Sequence, residues 1–107
     1  MAIARDTDQQ SFWVAVWWQV VLARIEAHRG AVTRVGELVH VVRERTGLVA
    51  VSGMHADVFL ECAEALREAG HDDEAATLVG EASTIADRLG YLVARRRADA
   101  AQRASTT

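Results

Sequence analysis

The chain has 107 residues, of which half are hydrophobic and a quarter are charged, and its formal net charge is -3. This length supports one domain and excludes a second independent core. The composition excludes an extended disordered segment, and the lack of a basic excess disfavours DNA or RNA as the principal partner.

The distribution of helix-breaking residues favours an all-α fold. The sequence has no proline and only seven glycines, so it offers few of the turns that join short strands. Residues 1–8 have no periodic pattern and are predicted to be a flexible N-terminus, and residues 105–107 a tail. Between them, apolar periodicity predicts a single domain of five helices. The predicted helices span residues 9–29, 33–45, 54–69, 72–89 and 91–104.

One short segment has the composition of a strand. Residues 48–51 read Leu-Val-Ala-Val and are followed by Ser52 and Gly53. A lone strand has no partner with which to form a sheet. We therefore expect this segment to be a connector.

The first predicted helix has an unusual pattern. The stretch from Phe12 to Ala23 is apolar around the whole helix, so each of its faces should be covered. Trp13 and Trp17 share one face, whereas Trp18 lies about 100° further round, so one neighbour cannot cover all three indoles. Trp is also favoured as a desolvated anchor in protein interfaces. The predicted interface residues are Phe12, Trp13, Val16, Trp17, Trp18, Val20 and Val21.

An arrangement within one chain is the alternative for this helix. The C-terminal helix or the connector 48–51 would then fold back over the tryptophans. In the favoured interpretation, a second copy of the chain or another protein covers them, and the chain forms a homodimer or a higher homo-oligomer.

The sequence also contains a repeat of two helical hairpins. Gly30 and Gly70 lie 40 residues apart, and each follows a long helix at the place where a left-handed residue commonly ends it. Superposing the two segments aligns small and apolar residues, which is what the close approach of two helices requires. We therefore predict two tandem antiparallel hairpins and a C-terminal capping helix. The residues predicted to pack within the repeat are Leu22, Ala23, Gly30, Phe59, Cys62, Ala63, Leu66, Gly70, Ala75, Val79 and Ala82.

These residues resemble the tetratricopeptide repeat (TPR). The family has a small residue in the first helix, Gly at the turn and Glu-Ala at the opening of the second helix. The second hairpin carries this pattern in Ala63, Gly70 and Glu74-Ala75, and the first keeps Ala23 and Gly30. The resemblance implies a TPR-like α-solenoid fragment that binds a protein partner.

A narrower similarity covers the stretch from Phe12 to Ala101. It resembles the helical C-terminal tails of multidomain transcriptional regulators and cyclase-linked ATPases of high-GC bacteria. The segment from His55 to Leu60, residues 64–70 and residues 91–95 carry this similarity. It implies an adaptor or regulatory domain.

No pattern typical of an active site or a metal site is apparent. The four histidines are dispersed, none lies four residues from another, and the single cysteine has no partner for an internal disulfide. The acids Asp72, Asp73 and Glu74 are interpreted as the start of a helix, where negative charge is favourable. We therefore expect no catalytic activity, no cofactor and no metal ion.

Charge is unevenly distributed in the C-terminal half. Residues 57–87 contain nine acids and one base, whereas residues 88–107 contain five arginines and one acid. The basic segment either docks on the acidic segment of its own or another copy, or both are solvated helix faces. Candidate residues for such an electrostatic contact are Arg95, Arg96 and Arg97.

The apolar stretch of residues 12–25 contains Gln19 and Arg24 and is shorter than the roughly 17–25 residues of a membrane helix. We therefore expect no membrane association and a cytoplasmic location. The leading functional prediction is a non-catalytic protein–protein interaction module that self-associates through its first helix. The alternatives are a small-molecule-binding or sensing domain with a Trp-rich pocket and, less favoured, a transcriptional regulator that contacts nucleic acid.

Overall fold

A computed structural model of the chain describes residues 2–89 and 92–106, with side chains over residues 10–89 and 96–103. These residues form helices and no strand, so the all-α prediction is confirmed, and residues 48–51 are a connector. The helices are α1 (Ala2–His28), α2 (Val32–Thr46), α3 (Gly53–Glu68), α4 (Asp72–Leu89) and α5 (Leu92–Thr106).

The largest difference from the predicted bounds is at the start of α1. The helix begins at Ala2, seven residues before the predicted start at Gln9 and within the segment predicted to be flexible. That segment has no apolar periodicity, but it also has no glycine or proline, so the helix extends through it. At the other end, α5 continues to Thr106, beyond the predicted end at residue 104. The predicted start of that helix, Tyr91, is outside the described residues.

The turns that follow α1 and α3 have the same hydrogen bonds. Gly30 has φ of +79° and Gly70 has φ of +91°, which confirms the prediction of left-handed residues there. After Gly30, the Ala31 amide donates to the Glu26 carbonyl at 3.0 Å, and after Gly70 the His71 amide donates to the Leu66 carbonyl at 2.8 Å. These bonds, together with those of the two glycine amides, form the Schellman motif at both sites. Each turn therefore reverses the chain into a helical hairpin.

Helix α3 is at the centre of the fold. It packs against all four other helices, while α1 also contacts α2 and α4 also contacts α5. Among the described residues, ten of the buried core positions are alanine. Short side chains at these positions allow helix axes to approach closely, so the core is thin and the helices lie near one another.

A buried histidine connects three helices. His55 Nδ1 accepts a hydrogen bond from the Ser52 amide at 3.2 Å, so Nε2 carries the proton and donates to the Thr46 carbonyl at 2.9 Å. The first bond is the side-chain half of a capping box at the start of α3, and the second reaches the end of α2. The imidazole also lies edge-on to Trp13 of α1, with ring centroids 5.3 Å apart. His55 therefore fixes the start of α3 against α1 and α2.

We expect Gly70→Ala and Gly80→Ala to change stability in opposite directions. At Gly70, φ is +91°, so a Cβ strains the backbone, and the free energy of unfolding should fall by roughly 1–2 kcal/mol. Gly80 lies inside α4, and a Cβ there meets no atom within 4 Å. The free energy of unfolding of Gly80→Ala should therefore rise by roughly 0.5–1 kcal/mol. Urea denaturation of both variants measures these two changes in the free energy of unfolding. A loss of stability in Gly80→Ala would contradict the open space next to Gly80 in α4.

Candidate interaction surface on the first helix

The two long faces of α1 have different environments. Val16, Val20, Ala23 and Ala27 are buried in the core. The opposite face carries an apolar row that we call the α1 stripe. Its members and their exposed fractions are Val14 (55%), Trp18 (70%), Val21 (45%), Leu22 (36%) and Ile25 (47%).

The other two indoles of α1 are partly covered within the chain. Trp17 Nε1 donates to the Met54 sulfur at 3.3 Å, and Trp13 contacts His55. Phe12 packs edge-on against Trp13 at 5.1 Å and is half-buried beside the core. The start of α3 therefore covers one side of α1. The elements predicted to cover it within one chain were the connector 48–51 and the C-terminal helix. Trp18 remains exposed.

Two groups of sequence-predicted residues need correction. Val16 and Val20 were predicted at an intermolecular interface, but both are buried in the core of the chain. Leu22 was predicted to pack within the repeat, but it lies in the α1 stripe. Since α2 and α3 cover only part of the circumference of α1, an apolar pattern on every face does not mean burial on every face.

The remaining predicted packing residues lie in the core or at the two turns. The side chains of Ala23, Phe59, Cys62, Ala63, Leu66, Ala75, Val79 and Ala82 are in the core. Gly30 and Gly70 form the two turns described above. The aligned small and apolar residues of the sequence therefore predicted these core positions.

A groove of about 500 Å³ runs between α1 and α3 beside the stripe. We call it the α1/α3 groove. Val20, Val21 and Ile25 form its apolar wall. Charged side chains rim it, namely Arg24, His28, Arg29, Glu61 and Glu68.

Ion pairs join α1, α3 and α5 along an acidic row on α3. The row comprises Asp57, Glu61, Glu64 and Glu68, at helical spacing. From α1, Arg24 donates to Glu61 at 2.6 Å and to Glu64 at 2.8 Å, and His28 Nδ1 lies 2.7 Å from Glu68. From α5, Arg97 donates to Glu61 at 2.9 Å and lies 3.8 Å from Asp57. Two arginines and one histidine from the neighbouring helices thus contact all four acids of the α3 acidic row.

The position of Arg97 bears on the predicted contact of the basic segment. Arg97 lies against the acidic row of its own chain, Arg96 is exposed, and the side chain of Arg95 is outside the described residues. Docking of the basic segment on the acidic segment of its own chain was one of the two sequence-based interpretations, and the contacts of Arg97 with Glu61 and Asp57 are of this kind. The contacts that sequence reasoning missed are those of Arg24 and His28 with the same acidic row. The available signal was the offset of 40 residues, since Arg24 and Glu64, like His28 and Glu68, are separated by the same interval as the two turn glycines.

The environment of the single cysteine does not favour a reactive thiolate. Cys62 is buried, and burial raises the pKa of its thiol from 9.0 to about 12, with a smaller contribution from Glu61. A nucleophilic cysteine needs thiolate character, which this environment opposes. Among the described side chains, no three of His, Cys, Asp or Glu form a group that could hold a metal ion.

Comparisons with known proteins give no relative: neither protein-family models nor curated proteins nor solved structures match this chain. Over the described residues, none of the helices combines the length and apolar character that a membrane span requires.

Burial of Cys62 predicts a specific pH dependence. Its thiol keeps its proton in the folded chain up to about pH 12 but loses it near pH 9 once exposed. Unfolding therefore releases this proton between those values, and the contribution of Cys62 to stability should fall by up to about 1.4 kcal/mol per pH unit. Urea denaturation of the protein and of Cys62→Ala at about pH 8 and about pH 10.5 tests this. The stability difference should decrease at the higher pH, and a constant difference would contradict it.

The ion pairs of the α3 acidic row should contribute to stability as a network. Glu61→Gln weakens the bonds to both Arg24 and Arg97, so we expect a loss of about 1 kcal/mol that shrinks at high salt. Glu37→Gln is the matched control, because Glu37 has one exposed partner at 3.5 Å. Equal effects of the two substitutions in thermal denaturation would show that the network adds nothing.

Proposed function

We propose that this chain is a non-catalytic protein-interaction module with a TPR-like arrangement of helices, and that it self-associates through the exposed face of α1. The observation that carries the proposal is the α1 stripe, with Trp18 at its centre and 70% exposed. Large contiguous apolar patches are uncommon on monomeric proteins and mark interaction sites. Trp is the residue type most enriched among binding hot spots.

The helix arrangement supports the TPR-like part of the proposal. The first helices of the two hairpins, α1 and α3, end in the same type of turn, 40 residues apart, and lie side by side. Helix α5 packs on α3 and α4 as a third first-type helix would. The Cα dimensions of 48 × 31 × 17 Å fit two layers of helices roughly 8–10 Å apart. In a solenoid of this kind, the first helix has an open side that another element must cover.

The charge pattern supports a protein partner over nucleic acid. Arg97 of the basic run is held by Glu61 and Asp57 of the same chain. A surface that binds the phosphate backbone needs several basic side chains directed at it. The apolar stripe instead offers the kind of surface that protein partners desolvate.

The sensing alternative would require a cavity bounded by Trp13, Trp17, Phe59 and Leu66. Trp13 and Trp17 lie against the start of α3, and Leu66 is fully buried in the core. The α1/α3 groove is lined by other residues and is open to the surface. These positions favour the interaction module.

Substitution of Trp18 tests the proposed surface. Since its indole is exposed, Trp18→Ala should leave the helical content and the melting temperature nearly unchanged. It should weaken self-association by at least about thirtyfold, as expected for a hot spot. Sedimentation velocity across a concentration series measures the association. The matched control is Leu48→Ala, which removes a side chain that is 84% exposed in the connector and is not part of the α1 stripe. An unchanged association of Trp18→Ala would place the interface elsewhere.

A further inference from the structure

The α1 stripe and the α1/α3 groove lie on the same helix and share Val21 and Ile25. The stripe offers a large projecting side chain, Trp18, and the groove offers an apolar recess beside it. We propose that the occupant of this surface is α1 of a second copy, running antiparallel, with each Trp18 seated in the groove of the other copy. This inference rests on the proposed function and specifies its partner and geometry.

Self-complementarity is the first argument for a second copy. In a two-fold dimer, any contact of residue i with residue j is accompanied by the contact of j with i. Trp18 and the groove wall at Val21 and Ile25 are three and seven residues apart on α1. A two-fold axis that passes between residues 19 and 20 therefore brings both Trp18 side chains to both grooves at once. One symmetric contact fills two recesses and covers the two most exposed indoles.

The spacing of the stripe supports a helix as the occupant. Val14, Trp18, Val21 and Ile25 are separated by intervals of four, three and four residues. This is the spacing of the seam along which two helices pack in a coiled coil. With the axis between residues 19 and 20, Val14 lies opposite Ile25 of the second copy, and Trp18 opposite Val21.

The charges on α1 select the antiparallel direction. Position 8 of α1 is Asp, and Arg29 directly follows the last residue of α1, so the two lie near opposite ends of the helix and 21 residues apart. About the axis between residues 19 and 20, position 31 of the second copy lies opposite position 8, so antiparallel pairing brings position 8 within two residues of Arg29 and places residues of opposite charge at the same end of the contact. Parallel pairing would instead place position 8 of both copies at one end of the contact and both Arg29 residues at the other, so like charges would lie at the same end. Arg29 is available for such a contact, because its side chain is 73% exposed and its contact with Glu26 is 3.7 Å long.

The size of this interface sets the affinity to expect. Two helices that pack over about three heptads bury on the order of 1,000 Å² in total, the lower end of the range for specific interfaces. We therefore expect a dissociation constant of roughly micromolar order and a monomer–dimer equilibrium that depends on concentration.

Cysteine cross-linking distinguishes the antiparallel dimer from other arrangements. Ser11 and His28 are both exposed, and an axis between residues 19 and 20 places one opposite the other. The variants Ser11→Cys and His28→Cys, with tags of different size, are mixed and oxidised mildly. Native Cys62 is buried with its pKa raised, so it stays unreactive. We expect the mixed disulfide to dominate over both homodisulfides and to disappear when Trp18→Ala is added to both variants.

A charge exchange gives an independent measurement on the full chain. Asp8→Arg and Arg29→Asp should each weaken dimerisation about two- to fivefold, because each places like charges together. The double variant restores opposite charges and should recover most of the original affinity. Sedimentation equilibrium measures all four proteins, and additive losses in the double variant would overturn the antiparallel pairing.

The outcomes separate this inference from the proposed function. A dimer that is lost in Trp18→Ala but gives mainly homodisulfides overturns the antiparallel geometry and leaves the proposed function standing. A chain that stays monomeric up to about 0.5 mM, well above the affinity expected, overturns both.

Discussion

The side-by-side packing of α1 and α3 is the constraint on which the rest of this structure depends. The two helices run in the same direction, because equivalent positions in the two hairpins, such as Arg24 and Glu64, meet across them. This packing brings Trp13 and Trp17 against the start of α3, creates the α1/α3 groove and joins Arg24 to the α3 acidic row. Short side chains at the shared core make it possible, since a bulkier core would separate the helices.

The same packing explains why the three tryptophans of one helix have different environments. A helix that contacts two neighbours is covered on adjoining sides and keeps the opposite side open. Trp13 and Trp17 fall on the covered side, with edge-on and sulfur contacts to α3, while Trp18 falls on the open side. The hydrophobic effect that folds the hairpins therefore also leaves an apolar surface, and this surface is the basis of the proposed association.

Polar contacts determine the register between the helices. His55 ties the start of α3 to the end of α2 through the Thr46 carbonyl at 2.9 Å, whose other contact, with the Val49 amide, is longer at 3.4 Å. At the other face, the α3 acidic row is matched by Arg24 and His28 on one side and Arg97 on the other. A segment that is strongly acidic in sequence is thus partly neutralised in space. The charge of this segment therefore gives little information about a binding partner, whereas the exposed α1 stripe indicates an apolar contact surface.

The sequence by itself determined the helices, the two turns and most of the hairpin core. Helical periodicity and a glycine with positive φ depend on neighbours along the chain. Gly30, Gly70 and the core residues of α3 (Phe59, Cys62, Ala63 and Leu66) could therefore be predicted from the sequence. The start of α1 was not readable, because a segment without apolar periodicity can still be helical when nothing in it breaks the helix.

Only the tertiary structure decided which faces of α1 are covered. Apolar residues on every side of α1 predicted that each side is covered. In the structure, Val16 and Val20 are buried in the core, whereas Trp18 and Leu22 are exposed. The tertiary structure also determines the partners of the α3 acidic row, since Arg97 of α5 contacts Glu61 of α3 although the two residues are 36 positions apart in the sequence. The physical reason is that sequence spacing fixes the angle of a side chain around its own helix, whereas coverage depends on how many other helices pack there.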